Sequence, residues 1–77
     1  MPGVLTAHQA YKQADEDALA MRARARARLG REILDARAQG TSQESIARRL
    51  GVTREQVRRY QQAYRDWVRD NPGEELT

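Results

Sequence analysis

Residues 43–62, QESIARRLGVTREQVRRYQQ, decide the fold. They read as two helices joined by a tight turn. The turn is Leu50, Gly51 and Val52, and Gly51 stands where a helix stops and the chain reverses, a place that calls for a left-handed backbone. Thr53 offers a hydroxyl to the first turn of the next helix, and Gln56 can reach back to complete a capping box. Thr41 and Glu44 have the same spacing and predict a second box before the first helix. The apolar spacing agrees. Ile46, Ala47 and Leu50 form one narrow face, and Val57, Tyr60, Tyr64, Trp67 and Val68 form another. Ala47 is small where the helices must approach closely, and Val52 fills the gap between them.

Working outward toward the N-terminus, residues 6–39 form a helical segment. Ala, Leu, Met, Arg, Gln and Glu dominate it, and only Gly30 argues against helix. Residues 1–5, MPGVL, read as a frayed start, and Thr6 and Gln9 could open the helix with a capping box. The carboxylates of Asp15, Glu16 and Asp17 could instead mark the true start. One long helix and two shorter pieces both fit; the single helix would be about 48 Å long. Arg22, Arg24, Arg26 and Arg28 alternate with Ala, which on a helix scatters the guanidiniums around the axis. Tyr11, Ala14, Ala18, Ala25, Leu29, Ile33 and Ala36 fall on one stripe, interrupted by Arg22. Such a stripe predicts a helix–helix seam, internal or between subunits. Gly40 and Thr41 end this segment.

Toward the C-terminus the second helix of the pair runs on to about residue 70, two turns beyond a minimal pattern. Trp67 and Val68 are expected to fold back on the first helix and complete the core. Asn71, Pro72 and Gly73 stop the helix, and residues 71–77 are expected to be a disordered acidic tail.

Length and composition set bounds. At 77 residues the chain makes a single domain with a small core, rich in Ala and without Phe. There is no Cys for disulfides or thiolate metal sites. No stretch is apolar enough to span a membrane and no secretion signal opens the chain, so a cytoplasmic protein is expected. Thirteen of the 14 basic residues are Arg, which with abundant Ala points to a GC-rich bacterial or phage genome. The net charge of +3 is unevenly placed. Residues 22–31 carry five Arg and no acid, and residues 42–69 carry seven Arg against Glu44, Glu55 and Asp66. Two basic blocks suit a polyanion partner better than the total implies. His8 is the lone His and the three adjacent acids diverge on a helix, so no catalytic group, cofactor or metal site is expected.

Residues 43–62 resemble the helix-turn-helix of the lambda-repressor/Cro type. Gln43 fits the opening polar position, Ile46 and Ala47 the apolar-then-small pair, Leu50, Gly51 and Val52 the turn, and Val57 and Tyr60 the inward positions of the second helix. Sigma-factor promoter-binding domains, transposase N-termini and terminase small subunits carry a similar unit. The resemblance implies an all-α domain of three or four helices, a long N-terminal helix followed by a helix-turn-helix over 42–70, and double-stranded DNA as partner. It assigns base-edge contact to the face opposite Val57 and Tyr64: Thr53, Arg54, Glu55, Arg58, Arg59 and Gln62. Arg suits guanine, Gln adenine and Glu the cytosine amine. Glu55 could equally serve only to complement the helix N-terminus. Thr41, Ser42, Gln43, Arg48 and Arg65 are candidates for phosphate contacts that set register. Arg24, Arg26 and Arg28 are further phosphate candidates, with a plain solvated surface as the alternative.

Because small helix-turn-helix units commonly act in pairs, a homodimer through the N-terminal helix is expected. The function implied is that of a small transcriptional regulator, a repressor, without enzymatic activity. Two alternatives stand beside it. One is a DNA-binding component of a phage or plasmid recombination, packaging or partition complex. The other is a protein-interaction module docking on RNA polymerase.

Overall fold

The computed structural model describes residues 2–76 and contains three helices. Helix α1 is Pro2–Ala38, α2 is Gln43–Leu50 and α3 is Arg54–Asp70. The fold is all-α, as the sequence predicts.

Helix α1 is one continuous helix of 37 residues. It starts earlier than either predicted start, so residues 2–5 are helical rather than frayed and Thr6 lies inside the helix. Proline is well placed at a first helical position, where its missing N–H would have had no helical acceptor. Beyond it, Ala, Gln, Lys, Met, Leu and Arg carry the helix without tertiary help. Gly30 does not break it. A Cβ on Gly30 would lie 2.0 Å from the Tyr60 carbonyl oxygen and 3.0 Å from the Tyr64 Cβ. Gly30 is therefore a point of close approach between α1 and α3, where the two backbones come nearly into contact.

Both inter-helix turns use the same bonds. The Gly51 N–H donates to Arg48 O and the Val52 N–H to Ala47 O, with Gly51 at φ 71°. These are the two hydrogen bonds of a Schellman turn, and the left-handed φ is the reason the position is Gly. At the end of α1, Gly40 N donates to Arg37 O and Thr41 N to Ala36 O in the same way. The capping box predicted at Thr53 is present: Gln56 N donates to Thr53 Oγ1 at 3.1 Å, and Thr53 N donates to Gln56 Oε1 at 3.0 Å. The box predicted at Thr41 is not. Ser42 caps α2 instead, accepting from Ser45 N at 3.1 Å. Thr41 N is already committed to the α1 turn, so the cap moves one residue on.

The core sits where the three helices meet. Ile33, Ile46, Ala47 and Val57 are buried together, with Leu29, Ala36, Val52 and Tyr60 packed around them. The predicted stripe on α1 is thus a seam only from Leu29 onward. Tyr11, lower on the same stripe, is 72% exposed. Toward α3 the buried line is instead Ala27 and Gly30, the latter facing Tyr60 and Tyr64. Leu50 is exposed, contrary to its predicted place on the inward face of α2. On α3, Trp67 is half-buried beneath the Arg24 guanidinium, 5.9 Å from the ring centroid. Val68, expected to pack beside it, is exposed, lining a shallow groove with Arg31 and Leu76. Gln61 is the surprise of the interior: it is 1% exposed. Its amide donates to Val57 O at 3.3 Å and accepts from Arg37 Nη1 at 3.1 Å. Both ends of a buried polar group are thereby satisfied.

Of the segment 71–77 expected to be a disordered tail, residues 71–76 have a defined course and Thr77 lies outside the described residues. Asn71 closes α3, its backbone N–H and side-chain amide both donating to Trp67 O at 2.9 Å. Residues 72–76 then turn back along α1. Leu76 is buried, its carbonyl accepts from Arg31 Nη1 at 2.6 Å, and Glu74 lies 3.6 Å from Arg24. The apolar side chain of Leu76 and the basic face of α1 explain why an acidic segment settles there.

Candidate nucleic-acid interface

Helix α3 presents its N-terminal half to solvent on the side away from the core. Arg54, Glu55, Arg58, Arg59 and Gln62 are all exposed, and Val57 between them is completely buried. The helical period produces this division directly, since Val57 and Gln61 point inward while Arg58 and Arg59 between them point out. The cap at Thr53 holds the first turn, so the backbone beneath Arg54 and Glu55 is fixed. The structure therefore brings the six predicted base readers onto one continuous surface.

Their side chains differ in commitment. Glu55 Oε1 accepts from Arg58 Nη2 at 3.0 Å, the same nitrogen lies 2.9 Å from Oε2 in an ion pair, and Arg59 Nε lies 3.4 Å from Oε1. The hydrogen bond from Arg58 holds the Glu55 carboxyl below the usual carboxylate range, with the nearby charges of Arg58 and Arg59 acting in the same sense. The same contact pushes Arg58 upward. Gln62 donates to Asp66 at 2.9 Å. Arg54, at the tip, forms no hydrogen bond or ion pair with the described residues. A guanidinium with all its donors unused, at the start of an exposed helix, is the most available cation of the set.

The predicted phosphate candidates divide. Ser42 and Gln43 open α2, and Thr41 is half-buried in the turn before it. The Ser42 hydroxyl is occupied as the N-cap, but its proton remains free to be donated. Arg48 pairs with Glu44 at 3.4 Å across one helical turn, whereas Arg65 is exposed and makes no ion pair among the described residues. Arg24, Arg26 and Arg28 do not all lie on one surface. Arg24 turns to Trp67 and Glu74. Arg26 lines a groove between α1 and α3 together with Gln56, Arg59, Tyr60 and Gln62. Arg28 lines a groove on α1 with Met21, Arg24, Ala25 and Leu29, away from α3. Of the three, only Arg26 adjoins the exposed face of α3.

Three residues outside the predicted set matter. Arg49 on α2 is exposed and makes no ion pair among the described residues; its place beside Arg48 was the available signal. Arg37 and Gln61 fasten the end of α1 to the inner face of α3. Nothing in the spacing singles out a buried Gln, because amphipathic patterns assign Gln to the surface. No helix among the described residues is long and apolar enough to cross a membrane.

A family model described as a helix-turn-helix domain matches residues 31–70. No curated protein and no solved structure gives a match. The matched region takes in the last two turns of α1 and all of α2 and α3, which are the elements that bury the core and raise the exposed face of α3. Domains of this kind are typically non-enzymatic, and the match supports DNA binding. Covering just over half of the 77 residues, it establishes that the chain belongs to the helix-turn-helix domain family.

Proposed function

We propose that the protein is a sequence-specific binder of double-stranded DNA that acts as a small transcriptional regulator, repressing by occupying its site. The observation that carries this reading is the exposed face of α3, with an unpaired Arg54 at its tip above a fixed capping box. A recognition helix enters the major groove with its N-terminal residues nearest the bases. In this reading Arg54 and Arg58 take guanines, Gln62 and Glu55 discriminate beside them, and Arg59 and Thr53 complete the contact. Ser42, Gln43, Arg49, Arg65 and Arg26 meet the backbone on either side. Arg48 and Thr41 have a weaker claim, since each already has a partner. A dimer through α1 would bring two such helices to one site.

Selection of bound duplexes from a random pool at moderate salt tests the reading. The expected result is enrichment of a short shared sequence. Arg54→Ala should then erase preference at one base position, a loss of about 1–3 kcal/mol of discrimination, while leaving nonspecific binding nearly intact. Binding that is equal for all duplexes and vanishes as salt rises would overturn sequence-specific function.

A further inference from the structure

The N-terminal half of α1 lies outside the core. The molecule measures 59 Å along its longest axis, and its radius of gyration is 17.0 Å, against about 11.5 Å for a compact chain of this length. Along this part of the helix Ala7, Tyr11, Ala14, Ala18, Met21 and Ala25 recur at alternating spacings of four and three. That is the heptad rhythm of a helix seam, and Val4 extends it by one step. Tyr11 and Met21 are each 72% exposed and Val4 is 58% exposed. At about 100° per residue the stripe lies roughly opposite the Ala27 and Gly30 line that faces α3. It continues into the shallow groove formed by Met21, Ala25, Arg28 and Leu29. The face is thus apolar and rhythmic, and among the described residues only its Met21 end borders another element, the groove beside Trp67 and Glu74.

Its flanking charges select the occupant. Asp15 and Arg22 border the stripe on one side, Asp17 and Arg24 on the other. Arg24 also has Glu74 of its own chain at 3.6 Å, so Asp15 and Arg22 are the flanking pair without an ion-pair partner among the described residues. We propose that this face binds a second copy of the same helix, antiparallel, with Ala18 opposite Met21 of the partner and Ala14 opposite Ala25 of the partner. In that register each Asp15 meets an Arg22 across one flank and each Asp17 meets an Arg24 across the other. Every flanking pair between charged residues is attractive. A shift by one heptad in one direction sets Arg22 against Arg22 and Arg24 against Arg24. A shift in the other sets Asp15 against Asp15 and Asp17 against Asp17. A parallel pair keeps only Asp17 against Arg22 and places Arg28 against Arg28 in the seam, where the antiparallel pair places Arg28 over Tyr11. Charge pattern therefore specifies both direction and register. The proposal deepens the dimer invoked above. It displaces the two α1–α3 crossings at Gly30 by roughly 32 Å along the pair, on the order of one turn of duplex DNA.

Sedimentation equilibrium of the full chain is the test, with helicity by circular dichroism as the check on each variant. The native chain should associate reversibly. Asp15→Arg and Arg22→Asp should each weaken association roughly tenfold or more, and an equimolar mixture of the two should restore it. A parallel pair predicts no effect of Asp15→Arg, because that residue then faces Ala10. Direction is read independently by cross-linking, since the chain has no cysteine of its own. Ala14→Cys alone should form no disulfide dimer, while Ala14→Cys mixed with Ala25→Cys should form the heterodimer. Self-cross-linking of Ala14→Cys, association indifferent to both charge swaps, or a chain monomeric at all concentrations would each overturn the proposal. The DNA reading fails separately: a monomer that still selects a sequence keeps it, and a dimer that binds no duplex loses it.

Discussion

At the scale of single residues, the exposed face of α3 is organised by one carboxylate. Glu55 gathers Arg58 and Arg59, and the hydrogen bond from Arg58 lowers its pKa. A depressed folded-state pKa means that this interaction is present above the ordinary carboxylate pKa and is lost as pH falls through the folded value. Being fully exposed, the group alters the availability of the two guanidiniums more than the stability of the fold. A carbon-detected NMR titration should place the Glu55 midpoint below the usual range, and Arg58→Ala should bring it back up. A midpoint unmoved by that substitution would show that the contact is not made in solution. The buried pair behaves differently. Arg37→Ala would leave Gln61 Oε1 without its donor in the interior, and a loss of about 1–3 kcal/mol in urea unfolding is expected.

At the scale of elements, the crossing of α1 over α3 is set by Gly30. Alanine is the better helix former by up to about 1 kcal/mol, so propensity alone predicts that Gly30→Ala stabilises. The crossing predicts the opposite, because the new methyl would meet the Tyr60 carbonyl oxygen at 2.0 Å and backbone cannot step aside cheaply. A net loss of about 3 kcal/mol should lower the melting temperature by more than roughly 10 °C. Gly3→Ala is the control, since nothing lies within 4 Å of that position, and it should leave melting unchanged or slightly higher. The long α1 was visible in composition, but its continuity through Gly30 was not. A glycine that ends a helix and one that admits a neighbour look alike until the neighbour is known.

At the scale of the whole molecule, the tertiary fold sorts the arginines that the repeat places side by side. Arg26 is carried to the groove beside Arg59 and Gln62, while Arg24 is carried to Trp67 and the C-terminal segment. Arg26→Ala should therefore flatten the dependence of log K on log salt for DNA binding by about 0.9, the value of one phosphate contact. Arg24→Ala should leave that slope unchanged. Equal effects from the two would mean that the N-terminal helix lies along the duplex rather than across it.

What the sequence determines by itself is local. The Gly51 turn, the Thr53 box and the period of α3 depend on residues within one or two helical turns of each other, and their chemistry is complete in the stretch 43–62. The exposed set from Arg54 to Gln62 follows from the same period. What only the tertiary structure decides depends on contacts between segments far apart in the chain. Ser42 rather than Thr41 caps α2 because the end of α1 claims the Thr41 N–H. Gln61 is interior because Arg37, 24 residues away, reaches it. Leu76 settles on a chain segment 45 residues earlier, through Arg31. Such pairings leave no periodic trace, since neither partner's neighbours record which distant helix the fold will bring alongside.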